Sequence, residues 1–215
     1  MRKMAWLCIA ALLLAAVGCG DSNRGIKEIT LPALADAVIG PDGVQSWHRQ
    51  KVDWHTGTDD FLAVVYGADS MRKDSETFDS MRNMELPKGY DNLRPPIAIT
   101  FRDFDGTFTP IYIFSAINGL ILTQYVCQIE KNEQSLNAIE AYVDLLDQNP
   151  NLLQESNASN QKDKWKIKWV HASEPNHFVQ FDGAQRQDTY VLSISIGLND
   201  AVDQMKADAK EEATV

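Results

Sequence analysis

The chain of 215 residues carries 20 Lys and Arg against 30 Asp and Glu, for a formal net charge of −10. This acidic balance argues against nucleic acid and against a domain lying flat on anionic lipid, because both partners need clustered basic side chains. Two interpretations remain open, a basic protein partner and a surface that is acidic only for solubility.

The start of the chain has the pattern of an export signal. Arg2 and Lys3 form a short basic head, and Met4 to Val17 is an uncharged, mostly apolar run. A helix that crosses a bilayer takes about 20 apolar residues, whereas a signal-peptide core has roughly 7 to 15. Residues 1–18 are therefore predicted to be a signal peptide and not a permanent span. A buried helix of a cytosolic protein is disfavoured, because the run offers no polar face.

Ala16-Val17-Gly18-Cys19 resembles the lipobox of bacterial lipoproteins, in which small residues precede a cysteine that is lipidated and becomes the mature N-terminus. The family usually has leucine where this chain has Ala16. The resemblance implies a diacylglyceryl thioether on Cys19, often with a third acyl chain. Two or more chains hold a protein on a bilayer, whereas a single chain binds marginally. The alternative is an ordinary secretory signal that uses Ala16 and Gly18 as its cleavage sequence.

Residues 19–25 are predicted to be the lipidated cysteine and a short polar tether. Six extended residues reach about 20 Å, so the domain is expected to stay close to its membrane. In lipoproteins of enterobacteria, an aspartate directly after the lipidated cysteine retains the protein in the inner membrane. Gly20 stands at that position here, which favours the outer membrane of the cell envelope.

Residues 26–215 are predicted to form a single α+β domain. Between Thr30 and Pro96 the sequence patterns indicate a short helix, two strands, a second helix and a proline-containing loop. The predicted ranges are a helix over Thr30–Gly40, strands over 44–54 and 60–66, a helix over Ser70–Met84, and a loop over Glu85–Pro96.

The strongest structural signal is a three-stranded antiparallel meander over residues 97–129. Asp105-Gly106 and Asn118-Gly119 separate three apolar runs, and such dipeptides favour tight hairpin turns. Counting from those turns places Ile99 opposite Tyr112. Both faces of the meander are apolar, which predicts a central sheet covered on both sides. Pro110 cannot donate to a neighbouring strand, so a bulge or a locally unpaired position is expected there.

The second half of the chain predicts two helices and three more strands around a polar loop at 154–163. Asn132 can cap a helix that ends at Asn149-Pro150. Its apolar stripe comprises Leu136, Ile139, Val143 and Leu146. The remaining predictions are a strand at 164–171, a hairpin of strands 177–181 and 189–196 with Asp182-Gly183 between them, and a closing helix at 199–212.

No catalytic signature is present in the sequence. It contains no nucleophile elbow, HExxH, phosphate-cradling glycine loop, dinucleotide fingerprint or CxxC motif, so no catalytic residue, cofactor or metal ligand is predicted. Cys8 leaves with the signal and Cys19 is lipidated, so Cys127 is left unpaired and is interpreted as a buried core thiol.

Two groups of side chains were considered as functional sites. His48 and His55 would point to opposite faces of one strand, whereas His171 and His177 flank a turn and could meet across it. Two histidines without a carboxylate or thiolate make a weak metal site. Four indoles could line a ligand cleft, although half-buried strand aromatics are the commoner role of such residues. These indoles belong to Trp47, Trp54, Trp165 and Trp169.

Three functional hypotheses follow. The first is a non-catalytic, membrane-anchored envelope lipoprotein that binds a protein or peptide partner. The acidic charge leaves a basic partner open, and an immunity or inhibitor protein is a subclass of this hypothesis. The second is a small-molecule or lipid carrier with an aromatic-lined cavity. The third is a hydrolase that uses His171 or His177 with a serine and an acid assembled from distant residues.

Overall fold

A computed structural model describes residues 27–31, 46–47, 50–51, 54, 56–66, 81–82, 84–95, 97–101, 104–158 and 164–214. Within these residues no helix has both the length and the apolar character needed to cross a membrane. The predicted signal peptide, Cys19 and the tether lie outside the described residues. In chain order the elements are β1 (Lys27–Leu31), β2 (Ser46–Trp47), β3 (Gln50–Lys51), α1 (Thr58–Tyr66), β4 (Tyr90–Leu93), β5 (Ile97–Phe101), β6 (Phe104–Ser115), β7 (Gly119–Glu130), α2 (Glu133–Asp147), β8 (Leu152–Asn157), β9 (Lys164–His171), β10 (His177–Arg186), β11 (Thr189–Leu198) and α3 (Asn199–Glu212).

One large sheet dominates the described part of the chain. Its strand order is β1-β5-β6-β7-β11-β10-β9-β8, and β4 pairs with β6 beside β5. Every pairing is antiparallel except that of β1 with β5. The prediction of a mainly antiparallel sheet is confirmed, and the described residues are mostly sheet with three helices.

Strands β4 and β5 follow each other along the same edge of β6. β5 pairs with β6 as far as Phe108, and pairing resumes with β4 at Tyr112. Pro110 falls between these two points and pairs with Tyr125 on the β7 side. The missing N–H of proline is tolerated there because the described strands offer it no partner on the β4/β5 side. The bulge in the β6–β7 ladder lies instead between Ile113 and Phe114.

The predicted turn at Asp105-Gly106 is wrong. Both residues belong to β6, and Phe101 pairs directly with Phe104, so the chain reverses before Phe104. Ile99 consequently pairs with Phe108 and not with Tyr112. Gly106 has a different role, because a Cβ atom at this position would lie 2.8 Å from the Ile129 side chain. The glycine allows a close approach within the sheet.

The second predicted turn lies close to its expected position but is one residue longer. Ser115 pairs with Gly119, leaving residues 116–118 to make the turn. Gly119 has a φ of 65°, which glycine adopts without strain. The β6–β7 hairpin is therefore confirmed, with Ile117 at its tip.

Several earlier predictions are also corrected. Residues 60–66, predicted as a strand, belong to helix α1, and strand β8 occupies part of the predicted loop at 154–163. The predicted helix 30–40 begins inside β1, and its remainder lies outside the described residues. Among the described residues of the predicted strand 44–54, two short strands are present, β2 and β3. Of the predicted helix 70–84, only residues 81, 82 and 84 are described, and they are not helical.

Helices α1 and α2 cover the face of the sheet that carries Phe104 and Tyr112, which we call the first face. On α2, Ile139, Tyr142 and Leu146 are buried. The Tyr142 ring lies 5.3 Å from that of Phe104 and 5.7 Å from that of Phe181. The Asn132 side chain accepts a hydrogen bond from the Ser135 backbone N–H at 2.8 Å, as the predicted cap requires. The other buried aromatic residues on this face are Phe101, Phe108, Tyr112, Phe114, Tyr125, Trp169 and Tyr190.

Helix α3 packs against part of the opposite face of the sheet, which we call the second face. Val202 is buried there, and the Tyr90 hydroxyl donates a hydrogen bond to Asp208 at 2.8 Å. Further along the same face, β7 and β11 present polar side chains, with Gln124 donating to Ser193 at 2.8 Å. Both faces are therefore apolar near β6, as predicted. On β7 and β11 the first face is apolar and the second face carries polar side chains.

Candidate functional site

A cleft of about 780 Å³ opens at the end of the sheet where β6 turns into β7. The first turn of α1 forms one wall, β4 and the preceding loop form another, and the β6–β7 tip forms the third. A concave site between several elements is the usual location of a binding site in a folded domain. We call this site, lined on its polar side by Asp59, Asp60, Arg82 and Asp91, the acidic cleft.

Packing of α1 fixes the wall of the acidic cleft. The Phe61 ring is buried and lies 4.5 Å from the Tyr112 ring and 5.4 Å from the Phe114 ring. The Leu120 backbone N–H donates to the Thr56 carbonyl at 2.9 Å, which joins the segment before α1 to the start of β7. Asp59 and Asp60 form the acidic first turn, where carboxylates interact favourably with the helix dipole. The two carboxylates are therefore held on a rigid support.

The charge of the acidic cleft is negative. Arg82 forms an ion pair with Asp91 at 3.0 Å and a longer one with Asp59 at 3.7 Å. The Asp59 side chain is nonetheless 87% exposed. Among the described lining residues, three aspartates surround one arginine, which leaves a formal charge of −2. The site is thus suited to a cationic group brought by a ligand.

Acidic groups continue from the acidic cleft onto α3. Tyr90 lines the cleft and donates its hydroxyl to Asp208, and the Lys88 backbone N–H donates to Glu212 at 2.9 Å. Burial, together with the hydrogen bond to Asp208, raises the pKa of Tyr90 to about 12. The phenol therefore remains a neutral donor throughout the physiological range.

The rim of the acidic cleft carries an exposed apolar side chain. Ile117 is 91% exposed at the β6–β7 tip. The Ser115 hydroxyl accepts hydrogen bonds from the backbone N–H groups of Ile117 at 3.2 Å and Asn118 at 3.4 Å. The Ala116 N–H donates to the Gly89 carbonyl at 2.9 Å, which ties the tip to the loop before β4. The exposed Ile117 side chain therefore stands on a backbone that three hydrogen bonds hold in place.

Three of the four tryptophans named from the sequence have described side chains, and none of these three lines the acidic cleft. Trp54 is buried and stacks on His177 with a centroid distance of 6.1 Å. Trp169 is buried, and its Nε1–H donates to Asp147 at 2.8 Å. Trp165 packs against the Tyr190 ring at 5.5 Å. Trp47 lies in β2, and its side chain lies outside the described residues.

The histidines at the β9–β10 turn make two separate pairs. His171 Nδ1 lies 3.1 Å from the Ser173 hydroxyl, and His177 Nδ1 lies 2.5 Å from a Glu174 carboxylate oxygen. The serine and the acid thus contact different imidazoles, so they form no serine–histidine–acid relay within this turn. His48 and His55 lie outside the described residues.

Two further chemical possibilities were considered. Within the described parts of the chain, no group of three or more His, Cys, Asp or Glu side chains could hold a metal ion. Cys127 is unpaired and buried, as expected, and burial raises the pKa of its thiol to about 12. A thiol with so high a pKa is a poor nucleophile at neutral pH.

The acidic cleft was missed by the sequence analysis. Asp59 and Asp60 precede an apolar run, and an acidic pair at that position is also typical of the first turn of a helix. That signal would have placed both carboxylates at a helix N-terminus. Asp91 and Arg82 carry no such local signal, because tertiary packing alone brings them together. Comparisons with family models, with curated proteins and with solved structures found no match to the chain.

Proposed function

We propose that this protein is a non-catalytic envelope lipoprotein, anchored through acylated Cys19, that binds a basic protein or peptide partner in the acidic cleft. The binding unit is a single α+β domain of residues 26–215, and the outer membrane is the favoured location. The observation that carries the proposal is the combination of excess carboxylates in a rigid cleft with the exposed Ile117 on its rim.

Electrostatics and apolar contact have complementary roles in this proposal. Carboxylates at the first turn of α1 attract a cationic segment and raise its association rate. Ile117 supplies apolar area that is removed from water when the partner docks. A rigid acidic site of this kind also suits the immunity or inhibitor subclass, in which a preformed surface neutralises a basic protein.

The experiment uses the purified mature domain and a library of short lysine- and arginine-containing peptides. We expect selection of basic peptides, and an affinity that decreases as salt is added. The double variant Asp59→Asn and Asp60→Asn should lose about 1 to 2 kcal/mol of binding free energy, roughly 5- to 30-fold in Kd, because each exposed charge contributes about 0.5 to 1 kcal/mol.

A matched control removes two negative charges away from the acidic cleft. Glu140→Gln and Asp144→Asn lie on exposed positions of α2. This control should bind the selected peptides as the unmodified protein does. Equal loss in both double variants would show that net charge, and not the acidic cleft, governs binding.

A further inference from the structure

The order of the strands fixes where the membrane anchor enters the fold. Among the described strands, β1 lies at one edge of the sheet, and it begins at Lys27. Lys27 is eight residues after Cys19, so the chain between them spans at most about 28 Å whatever its conformation. If Cys19 is acylated, as the proposed function requires, the start of β1 lies within that distance of the bilayer surface.

The direction of β1 shows which end of the sheet lies nearest to the membrane anchor. β1 runs parallel to β5, with Lys27 beside Ile97. β5 is antiparallel to β6, with Ile99 opposite Phe108, so Ile97 lies level with Pro110. The chain therefore enters β1 from the end of the sheet at which the β6–β7 tip lies. Five residues of β6 separate this level from Ser115, which is about 17 Å along the strand.

The opposite edge of the sheet is far from the anchor. β8 lies seven strand positions from β1. At about 4.8 Å between neighbouring strands, β8 is roughly 34 Å from β1 across the sheet. The tether therefore restrains the acidic cleft more closely than it restrains β8.

We infer that the anchor holds the acidic cleft toward the bilayer, and that the cleft receives the basic juxtamembrane segment of a partner that is itself bound at the membrane surface. This inference rests on the proposed function and adds the location and type of the partner. Clustered lysine and arginine side chains next to a membrane span are attracted to anionic headgroups. The carboxylates of the acidic cleft provide a competing protein site for the same cationic groups.

The orientation is testable with two fluorescent probes on the full acylated protein in vesicles. One probe is attached through Ile117→Cys at the cleft rim, and the other through Leu153→Cys on β8, where the native leucine is 56% exposed. Labelling is selective because Cys127 is buried and its pKa is high. Lipids with a spin-labelled headgroup quench nearby fluorophores. We expect several-fold stronger quenching of the probe at position 117 than of the probe at position 153.

A tether extension provides the control for the orientation. A flexible glycine–serine insert between Cys19 and Lys27 should reduce the difference between the two probes, because the domain is then free to tumble. Equal quenching at positions 117 and 153 with the natural tether, or stronger quenching at position 153, would overturn the inferred orientation.

The type of partner is tested with a model peptide that has one membrane span and a lysine-rich juxtamembrane segment. We expect the anchored protein to bind this peptide in the same vesicles, with several-fold weaker binding for Asp59→Asn with Asp60→Asn and no change for the α2 control. A protein that binds the lysine-rich segment in solution but not beside a membrane would contradict the inference and leave the proposed function intact. A protein that binds neither form would refute the proposed basic partner even if the quenching pattern is as expected.

Discussion

Replacing Ile117 with alanine should weaken partner binding strongly and leave folding unchanged. Ile→Ala removes three carbon atoms, and each buried methylene contributes about 0.8 kcal/mol, which gives about 2.4 kcal/mol for complete burial. Ile117 is 91% exposed in the free protein, so nearly all of this free energy is available when a partner covers it. The expected loss is about 2 kcal/mol, or roughly 30-fold in Kd.

Two assays on the same preparations test this prediction. Titration calorimetry with a selected basic peptide gives Kd, and urea denaturation gives the free energy of unfolding. Leu153→Ala is the control, since it removes an exposed apolar side chain from β8, away from the acidic cleft. The reasoning is refuted if Ile117→Ala binds the peptide normally, or if it unfolds at clearly lower urea, because an exposed side chain should contribute little to folding.

Three other predictions concern the anchor, the core and alkaline stability. Cys19→Ala should release the protein from the membrane fraction, and a variant that stays bound would exclude the lipid anchor. Tyr142→Ala should lower the free energy of unfolding by about 3 to 5 kcal/mol in urea denaturation, because its ring is buried between Phe104 and Phe181. Leu145→Ala, at a 44% exposed position, should have a much smaller effect, and equal effects would contradict the packing of α2. The pKa of Tyr90 is raised from 10.0 to about 12 in the folded chain, so the stability contributed by its neutral form is present below pH 10 and is lost as the pH rises toward 12. Tyr90→Phe should therefore lose less stability over that pH range in urea denaturation, and an unchanged alkaline slope would contradict the raised pKa of Tyr90.

The alternative functions now depend on specific observations. A carrier needs a cavity beside the aromatic face, but Trp54 and Trp169 are buried in the core. A ligand found by native mass spectrometry would support this hypothesis. A hydrolase based on His171 or His177 needs a serine and an acid on one imidazole, whereas Ser173 and Glu174 contact different histidines.

Local patterns predicted a large part of the fold correctly. The helix over residues 132–149 corresponds to α2, and the predicted strand at 164–171 has the bounds of β9. The predicted hairpin corresponds to β10 and β11 and the predicted helix at 199–212 to α3, although Asp182-Gly183 lies inside β10, which continues to Arg186. In each case the apolar period, the cap or the turn residue lies within the element itself. Such signals need no knowledge of distant residues.

Predictions failed where two local interpretations competed. The run FLAVVYG favours a strand by composition, yet the acidic pair before it and the packing of Phe61 against β6 produce a helix. Asp105-Gly106 favours a turn, yet both residues lie inside β6. Burial of large apolar side chains contributes more free energy than intrinsic β or turn preference, so tertiary contacts decide these segments.

The sequence by itself determined the acidic charge, indicated the main antiparallel hairpins and predicted an export signal with a lipobox, because each depends on neighbouring residues or on composition. Tertiary structure alone decided the order in which the hairpins and β1 join one sheet, and it brought Asp59, Arg82, Asp91 and Ile117 to one cleft. These residues are separated by as many as 58 positions along the chain. No periodic pattern links residues that far apart, since their proximity results from the packing of α1 and β4 against the end of one hairpin.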